Sequence, residues 1–129
     1  MRFPTLDEAI ACNEAVREPS EVSPSANDDD LEQVARALER ARAETDPVDA
    51  AAALAFELAT AQGFYEGNKR TAVLLARWFI TINTAIDPDR LIPPDDQVLG
   101  NLLISAARGD PVGTHVRTLL RRRAGTAGS

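Results

Sequence analysis

Residues 62–70 bring together side chains that could hold a phosphate group, in the order Gln-Gly-Phe-Tyr-Glu-Gly-Asn-Lys-Arg. Lys69 and Arg70 supply two adjacent positive charges, and Asn68 supplies an amide that both donates and accepts hydrogen bonds. Glu66 lies close to these cations, an arrangement that suits a Mg²⁺ ion bridging one carboxylate to phosphate oxygens. The chemistry that this stretch indicates is the binding of nucleotide phosphates together with a metal ion.

The position of this loop strengthens the indication of an anion site. It lies between an alanine-lined helix predicted to end near Ala61 and an apolar helix predicted to begin at Asn68. The second helix therefore presents its free N–H groups and the positive end of its dipole to the loop. Gly67 lets the backbone approach a ligand closely, and Phe64 can pin the loop to the core. The alternative is a plain helix start with a solvated Lys-Arg pair, although two cations there oppose the helix dipole unless an anion is bound.

Hydrophobic periodicity and capping residues predict six helices with short connections, and therefore an all-α fold, a helical bundle. Four helix starts carry capping signals, at Thr5 with Glu8, Asp46-Pro47, Asp95 and Asp110-Pro111. Residues 83–94, which contain several prolines, are predicted as turns. The fifth helix is expected to turn five residues inward: Val98, Leu99, Leu102, Leu103 and Ala106.

The fourth predicted helix reads TAVLLARWFITI over residues 71–82 and is apolar nearly all round. We therefore expect it to be the central, buried helix of the bundle. Trp78 is expected in the core, whereas Arg77 requires a carboxylate partner or an exit to the surface. Cys12, on the first helix, is expected to be a small core residue.

Three aspartates at residues 28–30 precede the second helix and predict N-capping, because acidic groups suit the positive end of the dipole. A metal site is the alternative, although adjacent side chains on a helix do not point one way. Residues 19–27 are rich in proline and serine and predict a surface loop or a short extended flap. Residues 124–129 are predicted as a disordered tail, which leaves a single domain over 1–123.

The amino-acid composition limits the classes of protein to which this chain can belong. With 129 residues, 44% apolar and 26% charged, the chain fits one globular domain in which alanine and leucine favour helices. One cysteine excludes an internal disulfide and a cysteine-based zinc site, and one histidine excludes a histidine-rich zinc site. No apolar run reaches the roughly 18–20 residues that a membrane helix needs. The start of the chain lacks the character of a signal peptide, so we expect a cytoplasmic protein.

The charge of the chain is uneven. The formal net charge is −6, which argues against a dedicated nucleic-acid binder with its usual basic domain. Residues 1–60 hold 14 acidic and 5 basic residues, whereas residues 61–129 hold 6 acidic and 9 basic ones. This asymmetry predicts an anion site in the second half of the chain.

The segment Phe64-x-Glu66-Gly67-Asn68-Lys69-Arg70-Thr71-Ala72 resembles the signature loop of the Fic/Doc family. Its NKRTA ending resembles the Doc, or death-on-curing, branch. The family places this loop between two helices, of which the second is buried. Further stretches resemble helices of Doc-like proteins, so nearly the whole chain is covered: DDDLEQVARALERA, ISAARGD and VRTLLRR.

The resemblance implies transfer of part of a nucleotide such as ATP, either AMP or a phosphoryl group, to a protein hydroxyl. Doc-like members are toxins that phosphorylate a translation factor. The resemblance also implies that Glu66 holds Mg²⁺, that Phe64 anchors the loop, and that phosphates contact Gly67, Asn68, Lys69 and Arg70. The family's inhibitory motif, Ser/Thr-x-x-x-Glu-Gly/Asn, does not occur in this sequence. An inhibitor would therefore come from a partner, as a small antitoxin does for Doc toxins.

One position departs from the family pattern. The family's loop opens with a histidine, usually followed by proline, and here Gln62 and Gly63 stand there. The histidine is the general base that deprotonates the target hydroxyl, and loss of a general base typically costs about 10²–10⁴ in rate. Gln62, at this catalytic position, takes up no proton near neutral pH, but a glutamine can still orient a nucleophile. His115 lies on the last predicted helix and is expected to be a surface or packing residue.

Three functions remain open at this point. The first is a Doc-like, nucleotide-dependent transferase with a degenerate loop. The second is a catalytically inactive pseudoenzyme or regulatory module that keeps nucleotide binding. The third is a Fic-fold enzyme redirected to a small-molecule reaction.

Overall fold

A computed structural model describes residues 1–17 and 29–128. Every regular element in these ranges is a helix, which confirms the all-α class. The predicted flap at 19–27 and the first aspartate of the acidic run lie outside the described residues. In the ranges given, no helix combines the length and apolarity needed to cross a membrane. The helices are α1 (Leu6–Val16), α2 (Leu31–Arg42), α3 (Pro47–Ala61), α4 (Asn68–Asn83), α5 (Pro88–Leu91), α6 (Gln97–Ala107) and α7 (Gly113–Gly128).

Capping residues fix the starts of α1 and α3 as predicted. The Thr5 hydroxyl accepts from the Glu8 N–H, and the Glu8 carboxylate accepts from the Thr5 N–H, both at 3.1 Å. Asp46 accepts from two backbone N–H groups of the first turn of α3, each at 3.0 Å. Pro47 occupies the first helical position. A backbone N–H at that position has no acceptor within the helix, so proline costs no hydrogen bond there.

The central helix is α3 rather than α4. Its surface is mostly alanine, which lets α2, α4, α6 and α7 approach it closely. α4 packs along α3 and against α1, and the ring of its buried Phe79 lies 5.0 Å from that of Phe3. The prediction of a fully buried α4 was wrong, because Leu74 and Ile82 are 43% and 41% exposed. Large side chains on α4 leave one face uncovered, whereas the small side chains of α3 admit neighbours on several sides.

Two residues expected in the core lie at its edge. Trp78 is half-buried, and the guanidinium carbon of Arg2 lies 5.2 Å from the centre of its ring. Cys12 is also half-buried, and burial raises the pKa of its thiol.

Residues 83–94, predicted as turns, contain the short helix α5. Asp87 caps it by accepting from the Asp89 N–H at 2.9 Å, and Pro88 takes the first helical position. This is the same Asp-Pro start that the sequence shows at α3. Arg77 donates to the Asp89 carboxylate at 2.6 Å, so of the two predicted possibilities this arginine has a carboxylate partner.

The start of α6 differs from the prediction by one residue. Asp96, rather than Asp95, accepts the capping hydrogen bond, from the Leu99 N–H at 3.1 Å. The buried face of α6 is formed by Leu99, Leu103 and Ala106. Val98 was expected to point inward but is 56% exposed, because it lies about 100° from Leu99 around the helix axis.

The bounds of α7 also differ from those predicted. The helix begins at Gly113, beyond the Asp110-Pro111 pair that was expected to open it. It continues to Gly128, through most of the stretch predicted as a disordered tail. The final residue lies outside the described part of the chain.

Ion pairs between α7 and the first half of the chain offset part of the charge asymmetry seen in the sequence. Arg117 donates to Glu44 at 2.6 Å, and Arg121 donates to both carboxylate oxygens of Asp49 at 2.5–2.6 Å. The hydrogen bonds from Arg121 hold the pKa of the buried Asp49 below its usual value, although burial alone would raise it. An anion site therefore depends on particular cations and not on a basic half of the molecule.

Candidate functional site

The loop over residues 62–67 joins α3 to α4, and close packing fixes its first residues. Gln62 ends α3 in the left-handed conformation, with φ of 46°. At Gly63 a Cβ atom would lie 2.6 Å from the Val34 side chain and 2.7 Å from the Asp30 carbonyl oxygen. The Gly63 carbonyl accepts from the Asp30 N–H at 2.6 Å. Only glycine fits at position 63 without displacing the start of α2.

Asn13 of α1 holds the far end of the loop. Its side chain is buried, and its amide donates to the Glu66 carbonyl oxygen at 2.8 Å and to the Thr71 hydroxyl at 3.1 Å. Its amide oxygen accepts from the Arg17 side chain. A buried amide whose donors and acceptor are all satisfied fixes the backbone around it. Asn13 therefore sets the position of the loop relative to α1 and α4.

A second polar contact holds the middle of the loop. Arg17 donates to both oxygens of Asp29 at 2.5 Å, and Asp29 accepts from the Tyr65 N–H at 2.7 Å. The Arg17 and Asp29 side chains are 17% and 12% exposed, so water screens this pair weakly. Asp30 caps α2 by accepting from the Gln33 N–H at 3.3 Å, which confirms N-capping within the acidic run. Asp29 therefore holds the loop, whereas Asp30 caps α2.

Phe64 and Asn68 close the loop on itself. Phe64 is buried, as expected of a residue that pins the loop to the core. Its N–H donates to the Asn68 amide oxygen at 3.0 Å, and the Asn68 amide donates back to its carbonyl at 2.9 Å. Because the side chain of Asn68 is used in this way, it holds the loop in place at the start of α4.

The N-terminus of α4 is open. Its N-cap residue is Gly67, with φ of 75°, which has no side chain to accept from the N–H groups of the first turn. Lys69 and Arg70 lie in that turn and are exposed. Lys69 forms no ion pair with the residues that the structure describes. Uncapped donors beside a free cation are the features of an anion site.

A cavity of about 730 Å³ opens next to these cations. Its polar lining consists of the cations Arg17, Lys69 and Arg70, the carboxylates Asp95 and Asp96, and the amides Gln97 and Asn101. Its apolar lining comes from α1, α4, α6 and the segment before α6, through Ala15, Val16, Val73, Leu74, Pro93, Pro94 and Ile104. A cavity of this volume, lined by cations and apolar side chains, has room for a nucleotide-sized ligand, whereas Asp95 and Asp96 oppose an anion placed next to them.

A model of the Fic/DOC family matches residues 11–80, from α1 through the loop and most of α4. The chain belongs to the Fic/DOC family. Comparison with curated proteins and with solved structures gave no significant match. The Fic/DOC match contains the loop as well as the residues of α1 and α2 that hold it.

Gln62, where the Fic/DOC loop is expected to begin with histidine, contacts α6. Its side-chain amide donates to the Ala107 carbonyl oxygen, so its Oε1 atom is left as an acceptor. Gln62 lines a second, smaller cavity of about 360 Å³ between the end of α3, the start of α4 and the end of α6. His115 is exposed on α7 and lines neither cavity. Tyr65 is 61% exposed and lines neither cavity.

Glu66 is the residue of this Fic/DOC loop that could hold a metal ion. Its side chain is half-buried. The described residues contain no cluster of three or more metal-ligating side chains. One carboxylate does not hold Mg²⁺ alone, but Mg²⁺ is commonly bound by one or two carboxylates together with phosphate oxygens and water. The residues therefore fit a metal that arrives with a phosphate ligand.

Sequence reasoning missed the residues that hold the loop. The contacts of Asn13 were not predicted, although it lies on the buried face of α1 with Ala9. A polar residue on an apolar stripe is itself a signal, because a buried amide must find hydrogen-bond partners. Arg17 was not singled out, and Asp29 was interpreted only as part of a capping run. Their pairing spans 12 positions and leaves no local pattern in the sequence.

Proposed function

We propose that this chain binds a nucleoside triphosphate such as ATP and slowly transfers part of it, AMP or a phosphoryl group, to a protein hydroxyl. The observation that carries the proposal is the uncapped N-terminus of α4, with Lys69 in its first turn, opening into the 730 Å³ cavity. Family membership supports the same reading, since the resemblance to Fic/Doc loops implies nucleotide chemistry at this position.

In this proposal the phosphates are bound by charge and by backbone donors. The N–H groups of Asn68, Lys69 and Arg70 face the ligand, and the side chains of Lys69 and Arg70 add positive charge. Gly67 has no Cβ to block the approach of a phosphate. Phe64 anchors the loop, and the apolar walls of the cavity take the nucleoside.

Glu66 would hold a Mg²⁺ ion that also binds the phosphates. Such an ion, when bound, neutralises charge that builds up on the phosphates during transfer. The chain itself supplies a half-buried carboxylate whose backbone is fixed by Asn13 at 2.8 Å. Fixing the backbone limits where that carboxylate can reach, and a metal ion would have to bridge it to phosphates in a cavity that Glu66 itself does not line.

Gln62 limits the rate of the proposed reaction. Its Oε1 atom can accept a hydrogen bond from a hydroxyl and so orient the nucleophile, but it cannot remove the proton. The proton must then pass to water or to a phosphate oxygen. We therefore expect transfer about 10²–10⁴-fold slower than with a histidine in this place.

A binding module without catalysis is the second candidate, and one observation favours it. Among the described residues, the walls of the two cavities carry no histidine, and Gln62 stands beside no carboxylate in the cavity that it lines. A pseudoenzyme of this kind would bind nucleotide and act through a partner. Redirection to a small-molecule reaction is a third possibility, and it rests only on the changed Gln62-Gly63 pair.

The protein target and any inhibitor are proposals that rest on resemblance to the Doc branch. A translation factor is the expected kind of target, and a small antitoxin is the expected kind of inhibitor. Both would meet the molecule near the α4 N-terminus, where transfer would occur.

Labelling with ATP tests the transferase proposal. The wild type, Gln62→His and Gln62→Asn are incubated with Mg²⁺, a cell extract and ATP labelled at the α- or γ-phosphate. Histidine and asparagine both tolerate the left-handed backbone of residue 62, so asparagine is a matched control that carries no base. We expect faint protein labelling by the wild type and by Gln62→Asn, and labelling at least about 100-fold faster by Gln62→His.

The position of the label and the pattern among variants decide between the candidates. Label from the α-phosphate identifies AMP transfer, and label from the γ-phosphate alone identifies phosphoryl transfer. Labelling by Gln62→His without any by the wild type would favour the pseudoenzyme. No labelling by any variant would contradict transfer chemistry at this site.

A further inference from the structure

Most of the positive charge of this protein is already paired. Nine arginines form ion pairs with carboxylates in the described residues: Arg2, Arg17, Arg36, Arg40, Arg42, Arg77, Arg117, Arg121 and Arg123. Lys69, Arg90 and Arg108 pair with no carboxylate in those ranges. The chain has 20 acidic and 14 basic residues, so carboxylates outnumber cations and these three are the exceptions to a general pairing.

Two of these three cations line one cavity. Lys69, from the start of α4, and Arg108, which follows the end of α6, both contribute to the 360 Å³ cavity that Gln62 also lines. The remaining lining comes from Asn68 and from the apolar Ala59, Leu103, Ile104 and Ala107. Like charges that line one cavity repel each other. A bound anion removes this cost, whereas no carboxylate of the described chain lines the cavity.

We propose that this cavity binds a phosphate-type oxyanion between Lys69 and Arg108. The planar guanidinium of Arg108 can donate two parallel hydrogen bonds to such a group, and Lys69 supplies a point charge. Both side chains are exposed, so water and salt screen these contacts in part. Arg108 is thereby assigned a binding role that neither the loop motif nor the family match, which ends at residue 80, provides.

The oxyanion can come from either of two sources. Lys69 also lines the 730 Å³ cavity, so the terminal phosphates of a nucleotide bound there could reach Arg108. The other source is a separate small molecule that carries a phosphate group. The first source rests on the proposed function, and the second does not.

Pyrophosphate binding tests the role of Arg108. Inorganic pyrophosphate is titrated by calorimetry into the wild type, Arg108→Gln and Arg90→Gln, with EDTA present so that no metal contributes. Arg90 is the matched control, because it is a surface arginine without a described ion pair and lines neither cavity. We expect the dissociation constant to rise at least about tenfold in Arg108→Gln and to stay unchanged in Arg90→Gln.

Either of two results would overturn the proposal. One is that the wild type binds no pyrophosphate at millimolar concentration, and the other is that Arg108→Gln binds pyrophosphate as tightly as the wild type does. Circular dichroism and the melting temperature show whether each variant folds. If the melting temperature of Arg108→Gln is lowered, Arg108→Lys is used instead. We expect Arg108→Lys to bind pyrophosphate with intermediate affinity, because it keeps the positive charge but loses the planar guanidinium.

Titration with Mg–ATP separates the two sources and the two proposals. Weaker ATP binding by Arg108→Gln, with competition by pyrophosphate, identifies the nucleotide's own phosphates. Unchanged ATP binding, with pyrophosphate bound at the same time, identifies a separate phosphate ligand. Pyrophosphate binding that depends on Arg108, without any ATP binding, would overturn the proposed function alone. If the wild type binds ATP and Arg108→Gln binds both ATP and pyrophosphate as tightly as the wild type, only the proposal for Arg108 is overturned.

Discussion

The amide of Asn13 donates to the carbonyl oxygen of Glu66 at 2.8 Å, which joins α1 to the loop across 53 positions of the chain. The same amide donates to the Thr71 hydroxyl in α4. One buried side chain therefore holds the residue proposed to bind metal and the helix proposed to bind phosphate in a fixed relation. The loop is positioned by residues outside its own motif.

Replacing Asn13 should destabilise the protein and loosen the loop. In Asn13→Ala the Glu66 carbonyl and the Thr71 hydroxyl lose a donor, and Arg17 loses an acceptor. Leaving buried polar groups unsatisfied costs about 1–3 kcal/mol each, so we expect a loss of about 2–4 kcal/mol in the free energy of unfolding. Urea denaturation measures it. Glu14→Ala, at an exposed position of α1, serves as the control, and equal losses in the two variants would contradict the anchoring role.

Alanine at two glycine positions should change stability in opposite directions. Gly63→Ala places a Cβ atom 2.6 Å from the Val34 side chain and 2.7 Å from the Asp30 carbonyl, which requires backbone movement. We expect a loss of about 1–3 kcal/mol. At Gly100 in α6 a Cβ meets nothing within 4 Å, so Gly100→Ala should gain about 0.5–1 kcal/mol from helix propensity. Thermal melts compare them, and a neutral Gly63→Ala would show that the loop can move away from α2.

The stability contributed by Asp96 should disappear in acid. Burial raises the pKa of Asp96, but hydrogen bonds from Arg123 and the Leu99 N–H outweigh burial and hold that pKa below its usual value. A carboxyl whose pKa is lowered by folding stabilises the folded state above its unfolded pKa, and this contribution is lost as the pH falls below about 4. Asp96→Asn keeps the capping acceptor but loses the charge.

Urea denaturation of the wild type and Asp96→Asn at neutral and acidic pH measures this effect. We expect the wild type to be more stable by about 1–2 kcal/mol at pH 7. The difference should shrink steadily as the pH is lowered through 4 and toward 2. A difference that stays constant with pH would show that the ion pair with Arg123 contributes nothing through its charge.

Local signals in the sequence were sufficient for most helix starts. The capping box at Thr5 and the Asp46-Pro47 pair act within a few residues, so their consequences can be predicted from the chain alone. The same Asp-Pro signal at Pro88 was overlooked because neighbouring prolines suggested turns. Val98 was misplaced because apolar character does not identify which side of a short helix faces the core.

Long-range contacts could not be predicted in the same way. The contact of Gln62 with Ala107 spans 45 positions, and the anchoring of Glu66 by Asn13 spans 53. Such pairs depend on how helices pack, which a single sequence does not reveal. Charge counts by halves were also misleading, because Arg121 of α7 pairs with Asp49 of α3 in space. The loop motif itself was the part of the site that the sequence identified.

Binding of nucleotide phosphates at the N-terminus of α4 can be measured by isothermal titration of Mg–ATP into the wild type, Lys69→Glu and the control Arg90→Glu. We expect saturable binding by the wild type and by Arg90→Glu, with the dissociation constant raised at least about tenfold in Lys69→Glu, since reversing the charge repels phosphate. If the wild type does not bind Mg–ATP, or if Lys69→Glu binds it with equal affinity, the phosphates of a nucleotide do not bind at this helix start.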